Sequence, residues 1–196
     1  MILLTAIAAG TLAGWGYARW KGLVWQPPTF RATGLVALGF LPQLAAFYLP
    51  FTRRLLTDEL ASFSLICSQL ILLVFTILNR RLPGMPVLML GLGCNLAVIL
   101  VNGGFMPLTV DAASRLVDKA ILDNLVIGER ISSASKDILL PETRIVLPWL
   151  ADRFVPPQSM PYRFAFSLGD ILLAAGTFWM LLQGHPAILN WDSGDN

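Results

Sequence analysis

The chain has 196 residues, of which 56% are hydrophobic and 13% are charged, and its formal net charge is +2. Soluble domains carry about 25% charged residues, and disordered segments are poor in apolar residues. The mean hydropathy of +0.67 therefore excludes an ordinary soluble domain and a disordered chain, and it predicts an integral membrane protein. The small net charge also argues against nucleic acid as a partner.

Five apolar stretches are long enough for membrane-spanning helices, because a bilayer core about 30 Å thick needs about 20 apolar residues per helix. Backbone groups in lipid must be hydrogen-bonded internally, so each stretch predicts a helix. The first lacks a preceding Lys or Arg, and we interpret it as a span rather than a secretory signal. The stretches cover about Ile2–Ala18, Ala32–Leu49, Leu60–Leu78, Pro86–Phe105 and Phe164–Leu182.

The charged residues divide the chain into three parts. Residues 106–163 hold fourteen of the 26 charged residues (14 Lys and Arg, 12 Asp and Glu), whereas Asp170 is the one charged residue inside the five stretches. We therefore expect four transmembrane helices over residues 1–105, an amphipathic and irregular external insert over 106–163, and a fifth helix with a cytoplasmic tail over 164–196. The predicted class is an all-α, polytopic membrane protein with a partly helical insert.

The insert is predicted to begin with an amphipathic helix from Thr109, a favourable N-cap residue, to about Leu122. Prolines divide the rest of the insert into short turns and extended pieces. The predicted apolar face of the helix consists of Leu116, Val117, Ala120 and Ile121.

The basic residues of the short loops predict an orientation. Five lie in the loops after the first and third stretches, and only Arg53 and Arg54 lie in the loop after the second. Lys and Arg accumulate in cytoplasmic loops. We therefore expect a multi-pass protein of the bacterial plasma membrane, with the N-terminus and the insert outside and the C-terminus in the cytoplasm. The five basic residues are Arg19, Lys21, Arg31, Arg80 and Arg81.

Asp170 is a candidate functional residue, because an ionisable group inside a membrane span is costly and usually faces the protein interior or water. It lies six residues past Phe164, about 9 Å along the predicted helix. The alternative is that Asp170 lies near the membrane interface, where it caps the helix or pairs with Arg163 or Arg153.

A second candidate group lies near the end of the fourth stretch. Asn95 and Asn102 are seven residues apart, so they lie nearly on one face of a helix that makes two turns in 7.2 residues. Side-chain amides hydrogen-bond across helices in membranes. Gly103 and Gly104 are expected to end the helix, and Pro107 prevents its continuation.

These elements resemble a family of bacterial membrane proteins known as domain of unknown function 5317. The matching pieces are GLGCNLAVILVNGGFMP at 91–107, WLAD at 149–152 and FSLGDILLAAG at 166–176. The resemblance implies a polytopic bacterial membrane protein and names no activity.

A further pattern is similar to lipoprotein signal peptidase, a membrane aspartyl protease with two aspartates almost twenty residues apart. Here Asp152 is followed by Arg153, as in that enzyme, and Asp170 comes 18 residues after Asp152. The resemblance implies a carboxyl pair in which one member keeps its proton, and such a pair activates water for amide hydrolysis. The chain departs from the motif at Ser167, where the family has asparagine, and at Gly169, where it has alanine.

Two functional hypotheses follow. The first is a non-catalytic accessory or structural subunit that packs in a larger membrane complex, with membrane lipids and other membrane subunits as partners. The second is a membrane-embedded aspartyl hydrolase with an Asp152/Asp170 dyad and Asn102 as an orienting residue. We expect no cofactor and no metal, because the apolar stretches contain no histidine and no cysteine or histidine has the spacing of a metal site.

Overall fold

The computed structural model describes residues 2–157, 163–184 and 187–188, so most of the predicted cytoplasmic tail lies outside the described residues. The described part is mainly helical, as the composition predicts, and five long helices coincide with the five apolar stretches. In chain order the helices are α1 (Ile2–Trp20), α2 (Gly34–Gln43, extended by a π-helical turn, Leu44–Tyr48), α3 (Pro50–Leu55), α4 (Asp58–Leu78), α5 (Met85–Val101), α6 (Val110–Leu116), α7 (Lys119–Leu122) and α8 (Leu168–Gln183). The short strands are β1 (Leu23–Val24), β2 (Met106–Thr109), β3 (Asp137–Leu140) and β4 (Ala187–Ile188).

The five long helices pack in a single row, in the order α2, α4, α5, α8, α1. Close packing of α5 on α8 depends on glycine, because a Cβ at Gly91 would lie 2.7 Å from the backbone oxygen of Gly169. Small residues of this kind let the backbones of membrane helices approach closely. Gly10 of α1 faces Phe178 and Gly14 faces Leu181, so α1 and α8 run parallel.

Many large apolar side chains on the row remain exposed. Leu12 of α1 is 68% exposed and Phe63 of α4 is 65% exposed. Among the described helices, α4 is the one that is both long and apolar enough to cross a membrane. The segments Gly34–Tyr48, Met85–Val101 and Leu168–Gln183 are apolar but shorter.

Residues 106–157 and 163–166, called the cap below, cover one end of the row. Its fully buried strand β2 pairs in parallel with β3, and residues 128–131 run antiparallel along the other side of β3. The pairing of β2 with β3 was not predicted. The structure is mainly helical, as predicted, but the cap also contains a small sheet. The cap has its own apolar core, built on Leu108, Ala112, Ala113 and Leu139.

Three of the predicted stretches differ in their bounds from the observed helices, although α5 does end before Gly103 and Gly104, as expected. Thr109 does cap a helix, but the helix ends at Leu116 because Val117 is extended, and α7 starts separately. The break leaves Ile121 of the predicted apolar face 52% exposed, while Leu122 packs on the cap core. Helix α5 ends at Val101 rather than at Phe105. Helix α8 starts at Leu168 rather than at Phe164, which places Asp170 in its first turn.

The end of the row opposite the cap joins the loop before α2 to the end of α4. The buried Asn79 side chain accepts a 2.8 Å hydrogen bond from the backbone N–H of Arg31 and donates one of 3.0 Å to its carbonyl oxygen. Trp25 donates to the carbonyl oxygen of Leu181 near the end of α8, and β1 pairs with β4. The loops after the first and third apolar stretches therefore lie at the same end of the row.

Candidate functional site

Asp152 is the most deeply buried charged side chain of the predicted site. Its backbone N–H donates to the carbonyl oxygen of Pro107 at 2.9 Å, which holds the Asp152 segment beside β2 as a short parallel bridge. The side chain is 2% exposed, and Oδ1 is buried with no hydrogen-bond partner. A buried carboxylate oxygen without a hydrogen-bond partner is costly, which favours the protonated form of this group.

Lys136 and Asp137 approach Asp152 from the other side of β2. Lys136 Nζ lies 3.8 Å from Asp152 Oδ2, and the lysine side chain is 40% exposed. The Ser135 hydroxyl donates to Asp137 Oδ2 at 2.9 Å, while Asp137 Oδ1 is buried without a partner. Oδ1 of Asp137 and Oδ1 of Asp152 are thus both buried without a hydrogen-bond partner, and the negative charge of Asp137 raises the pKa of Asp152.

The electrostatics of the cluster favour a protonated Asp152. Burial is the largest cause that raises its pKa, Lys136 opposes it, and Asp137 and Asp170 add to it, so that the pKa of Asp152 is about 7. Burial alone would lower the pKa of Lys136, but the carboxylates of Asp152 and Asp137 outweigh it and raise that pKa above its ordinary value. The lysine therefore stays charged while Asp152 exchanges a proton near neutral pH.

The cluster lines a pocket of about 450 Å³ built entirely from the cap. Pockets that hold small ligands are commonly about 300–1,000 Å³ and mostly apolar, with a few polar groups. Lys136, Asp137 and Asp152 provide the charged groups here, together with Arg163, whose side chain is 55% exposed. Among the described residues, no three His, Cys, Asp or Glu side chains are grouped to hold a metal ion. The apolar wall includes Leu116, Val117, Leu125, Ile131 and Phe164.

Asp170 lies at the start of α8 and acts there as a capping residue. Its Oδ2 accepts from the backbone N–H of Ser167, and the Ser167 hydroxyl accepts from the backbone N–H of Asp170, which forms a capping box. Its Oδ1 accepts from Asn95 Nδ2 at 3.0 Å. Both oxygens of Asp170 thus accept hydrogen bonds, whereas Oδ1 of Asp152 accepts none. Arg163 pairs with Asp118 rather than with Asp170.

The other predicted polar residues connect elements. Asn102 donates to the carbonyl oxygens of Val98 and Val146, and its Oδ1 accepts from the backbone N–H of Val146, so it ties the end of α5 to the cap. Gly103 and Gly104 both have left-handed backbones and follow the last turn of α5, as predicted. Arg153 does not pair with its neighbour Asp152, because it lies 3.5 Å from Glu142 and over the Trp149 ring.

Lys136 and Asp137 were missed by the sequence analysis. They lie in a polar stretch, and the one signal was the apolar run Ile138–Leu140 that follows directly and is typical of a buried strand. Arg130 was missed as well. Its guanidinium lies between the rings of Phe47 and Phe105 and donates to Asp58 Oδ1 at 2.8 Å. Arg130 thereby fixes the cap to the start of α4.

The fold and the site define a mainly helical protein with a row of five long helices and a pocket of paired carboxyl groups in a cap at one end. The model of the Family of unknown function (DUF5317) matches residues 28–182, and the chain belongs to this family. The match runs from the loop before α2 to the last turn of α8 and includes the whole cap. No curated protein and no solved structure matches the chain.

Proposed function

We propose that this protein is a polytopic protein of the bacterial plasma membrane, with the cap outside, and that the cap carries an aspartyl site for amide hydrolysis. One observation carries the enzymatic part of the proposal. Asp137 and Asp152 line one pocket, and each has a buried oxygen that lacks a hydrogen-bond partner. Two carboxyl groups that share one proton supply both an acid and a base.

The membrane placement is supported by the row of helices. In such a row each helix keeps broad apolar surface outside the protein, which lipid would cover and water would not. Helices of 16 or 17 residues are about 25 Å long, which local thinning of the bilayer accommodates. The end opposite the cap carries the five basic residues of the predicted cytoplasmic loops and three tryptophans, a composition typical of the headgroup region. The tryptophans are Trp15, Trp20 and Trp25.

Labelling with a membrane-impermeant maleimide tests this orientation. In a chain whose Cys67 and Cys94 are replaced by Ala, Ser132→Cys would lie in the cap and Arg80→Cys at the opposite end. Intact cells should label the first variant only, and permeabilised cells should label both. If intact cells label only Arg80→Cys, the orientation is the opposite of the one proposed. If intact cells label both variants equally, the membrane placement is contradicted.

The proposed reaction uses the carboxyl pair as follows. The ionised carboxylate accepts a proton from water as the water oxygen attacks the amide carbon, and the protonated carboxyl donates its proton to the carbonyl oxygen. The C–N bond then breaks, the first proton passes to the leaving nitrogen, and the hydroxyl proton returns to the second carboxyl. Lys136 Nζ is 3.8 Å from Asp152 Oδ2, and its positive charge stabilises the ionised carboxylate of the pair.

The pair that we propose for this chemistry is Asp137 and Asp152, rather than the Asp152/Asp170 dyad implied by the resemblance to lipoprotein signal peptidase. Asp170 accepts one hydrogen bond on each oxygen, from Asn95 and from the backbone of Ser167, so its carboxylate is committed to fixing the start of α8. It contributes to the site through its charge, which favours protonation of Asp152. We therefore assign Asp170 a positioning role.

Cleavage products provide the test. The purified full chain is incubated with a bacterial membrane fraction, and newly formed peptide N-termini are labelled and identified by mass spectrometry. Wild type should generate new termini, while Asp152→Asn and Asp137→Asn should generate none. Asp111→Asn is the matched control, because Asp111 forms an exposed ion pair with Arg115 at the surface of the cap. Absence of new termini with wild type, or unchanged termini with both site variants, would contradict the hydrolase.

An accessory subunit remains a second candidate function, favoured by the exposed apolar faces of the row. A helix face such as that of Phe63 on α4 is available to another membrane chain as well as to lipid. A photoreactive amino acid in place of Phe63 or Leu12 should then crosslink to one discrete protein in native membranes. Crosslinking to lipid alone from both positions would contradict this candidate.

A further inference from the structure

At the end of the row opposite the cap, three arginines from two segments line one cavity. Arg31 comes from the loop before α2, and Arg80 and Arg81 follow α4; together they line a space of about 210 Å³. The buried Asn79 holds Arg31 in place through both of its backbone hydrogen-bonding groups. Asn79 also donates to the carbonyl oxygen of Phe75 in α4, so the loop is fixed against the helix end.

The charges of these arginines are not compensated within the described part of the chain. None of the ion pairs there includes Arg31, Arg80 or Arg81. The C-terminal dipole of α4 favours a cation at Arg80 or Arg81. The helix dipole does not explain why Arg31 is there. The neutral side chain of Asn79 holds Arg31 next to the like charges of Arg80 and Arg81. An anion in the cavity would relieve this repulsion.

We infer that this cavity binds the phosphate group of an anionic phospholipid. Ile77 and Leu78 complete its lining and are 40% and 47% exposed, which provides apolar contact next to the charged groups. Basic pockets between membrane helices on the cytoplasmic side suit anionic headgroups in this way. Arg19 over the Trp15 ring and Lys21 over the Trp20 ring extend the basic and aromatic surface at the same end. The inference rests on the proposed membrane placement.

Lipid binding to the purified full chain tests the inference. Native mass spectrometry of the protein in mild detergent gives the Kd for added phosphatidylglycerol and for phosphatidylcholine, which has no net charge. Phosphatidylglycerol should bind at least about fivefold more tightly, and Arg80→Gln with Arg81→Gln should weaken its binding by at least about fivefold, since one basic residue near anionic lipid contributes about 1 kcal/mol. Arg54→Gln with Arg144→Gln removes the same charge from exposed positions at the cap end and should change the Kd by less than about twofold.

Several outcomes would overturn the inference. If both double variants weaken lipid binding equally, binding depends on the net charge of the protein and not on this cavity. If inorganic phosphate displaces the lipid, free phosphate is the ligand. Equal affinity for the two lipids would contradict a site that selects anionic phospholipid. Carbonate extraction of wild type from native membranes is a separate measurement, and release of the protein would contradict the membrane placement. If the protein is retained but Arg80→Gln with Arg81→Gln leaves the lipid affinity unchanged, only the proposed lipid site is contradicted.

Discussion

Asn95 on α5 donates a hydrogen bond of 3.0 Å to Asp170 on α8, and its amide oxygen accepts one of 3.0 Å from the Ser167 hydroxyl. The same Ser167 and Asp170 form the capping box of α8. One amide side chain therefore satisfies both members of the box from the neighbouring helix. This arrangement fixes where α8 starts and, with it, the segment of the cap that leads into the helix.

Replacement of Asn95 by Ala should destabilise the protein by about 1–3 kcal/mol, because the buried Ser167 hydroxyl and one oxygen of Asp170 would lose their partner. Unfolding of the purified protein in mixed detergent micelles measures the change. Asn124→Ala is the control, since the exposed Asn124 makes one local hydrogen bond to Ala120, and it should cost less than about 0.5 kcal/mol. Equal losses would show that Asn95 has no special role.

The raised pKa of Asp152 predicts a pH dependence of stability. Its pKa rises from 3.8 to about 7 on folding, so between these values the folded state binds more protons than the unfolded state. The free energy of unfolding contributed by Asp152 should therefore decrease as pH rises from about 4 to about 7, with a slope of at most about 1.4 kcal/mol per pH unit. Subtraction of the profile of Asp152→Asn from that of wild type isolates the effect. A flat difference over this window would contradict the raised pKa.

Gly103 and Gly104 make a matched pair, because both have left-handed backbones, with φ of 85° and 87°. A Cβ at Gly104 would overlap the side chain of Ser62, whereas a Cβ at Gly103 would meet no atom within 4 Å. Gly103→Ala should cost about 1 kcal/mol for the backbone alone, and Gly104→Ala about 2–4 kcal/mol. Thermal unfolding of both variants provides the comparison. Equal losses of stability in the two variants would contradict the close contact between Gly104 and Ser62 of α4.

Arg130→Lys keeps the positive charge but loses the planar group that lies between Phe47 and Phe105 and donates to Ser133 and Ser135. The cap should then separate more readily from the row, and hydrogen exchange over residues 128–140 should be faster. Arg115→Lys is the control, because the Arg115 side chain is 59% exposed and forms a surface ion pair with Asp111. Unchanged exchange in Arg130→Lys would show that apolar contacts alone hold the cap.

The helices could be predicted from the sequence because the length of an apolar run and a capping residue are local features. Thr109 was predicted as a cap in this way and does begin a helix, whereas the cap at Ser167 was not predicted, because the apolar run begins earlier, at Phe164. The partner of Asp152 could not be predicted in this way. Asp137 reaches Asp152 only because β3 pairs in parallel with β2, across a connection of 27 residues whose pairing no local pattern specifies. A carboxylate in a polar stretch looks the same in a sequence whether it is buried or exposed.

The order of helices in the row also has a consequence for synthesis. α1 packs on α8, so α1 leaves the ribosome long before its neighbour in the row. Under the proposed membrane placement, α1 enters the bilayer well before α8 has been translated. The pair α2 and α4 can form long before that. The row should therefore assemble from α2 towards α8, and α1 should be the last helix to pack.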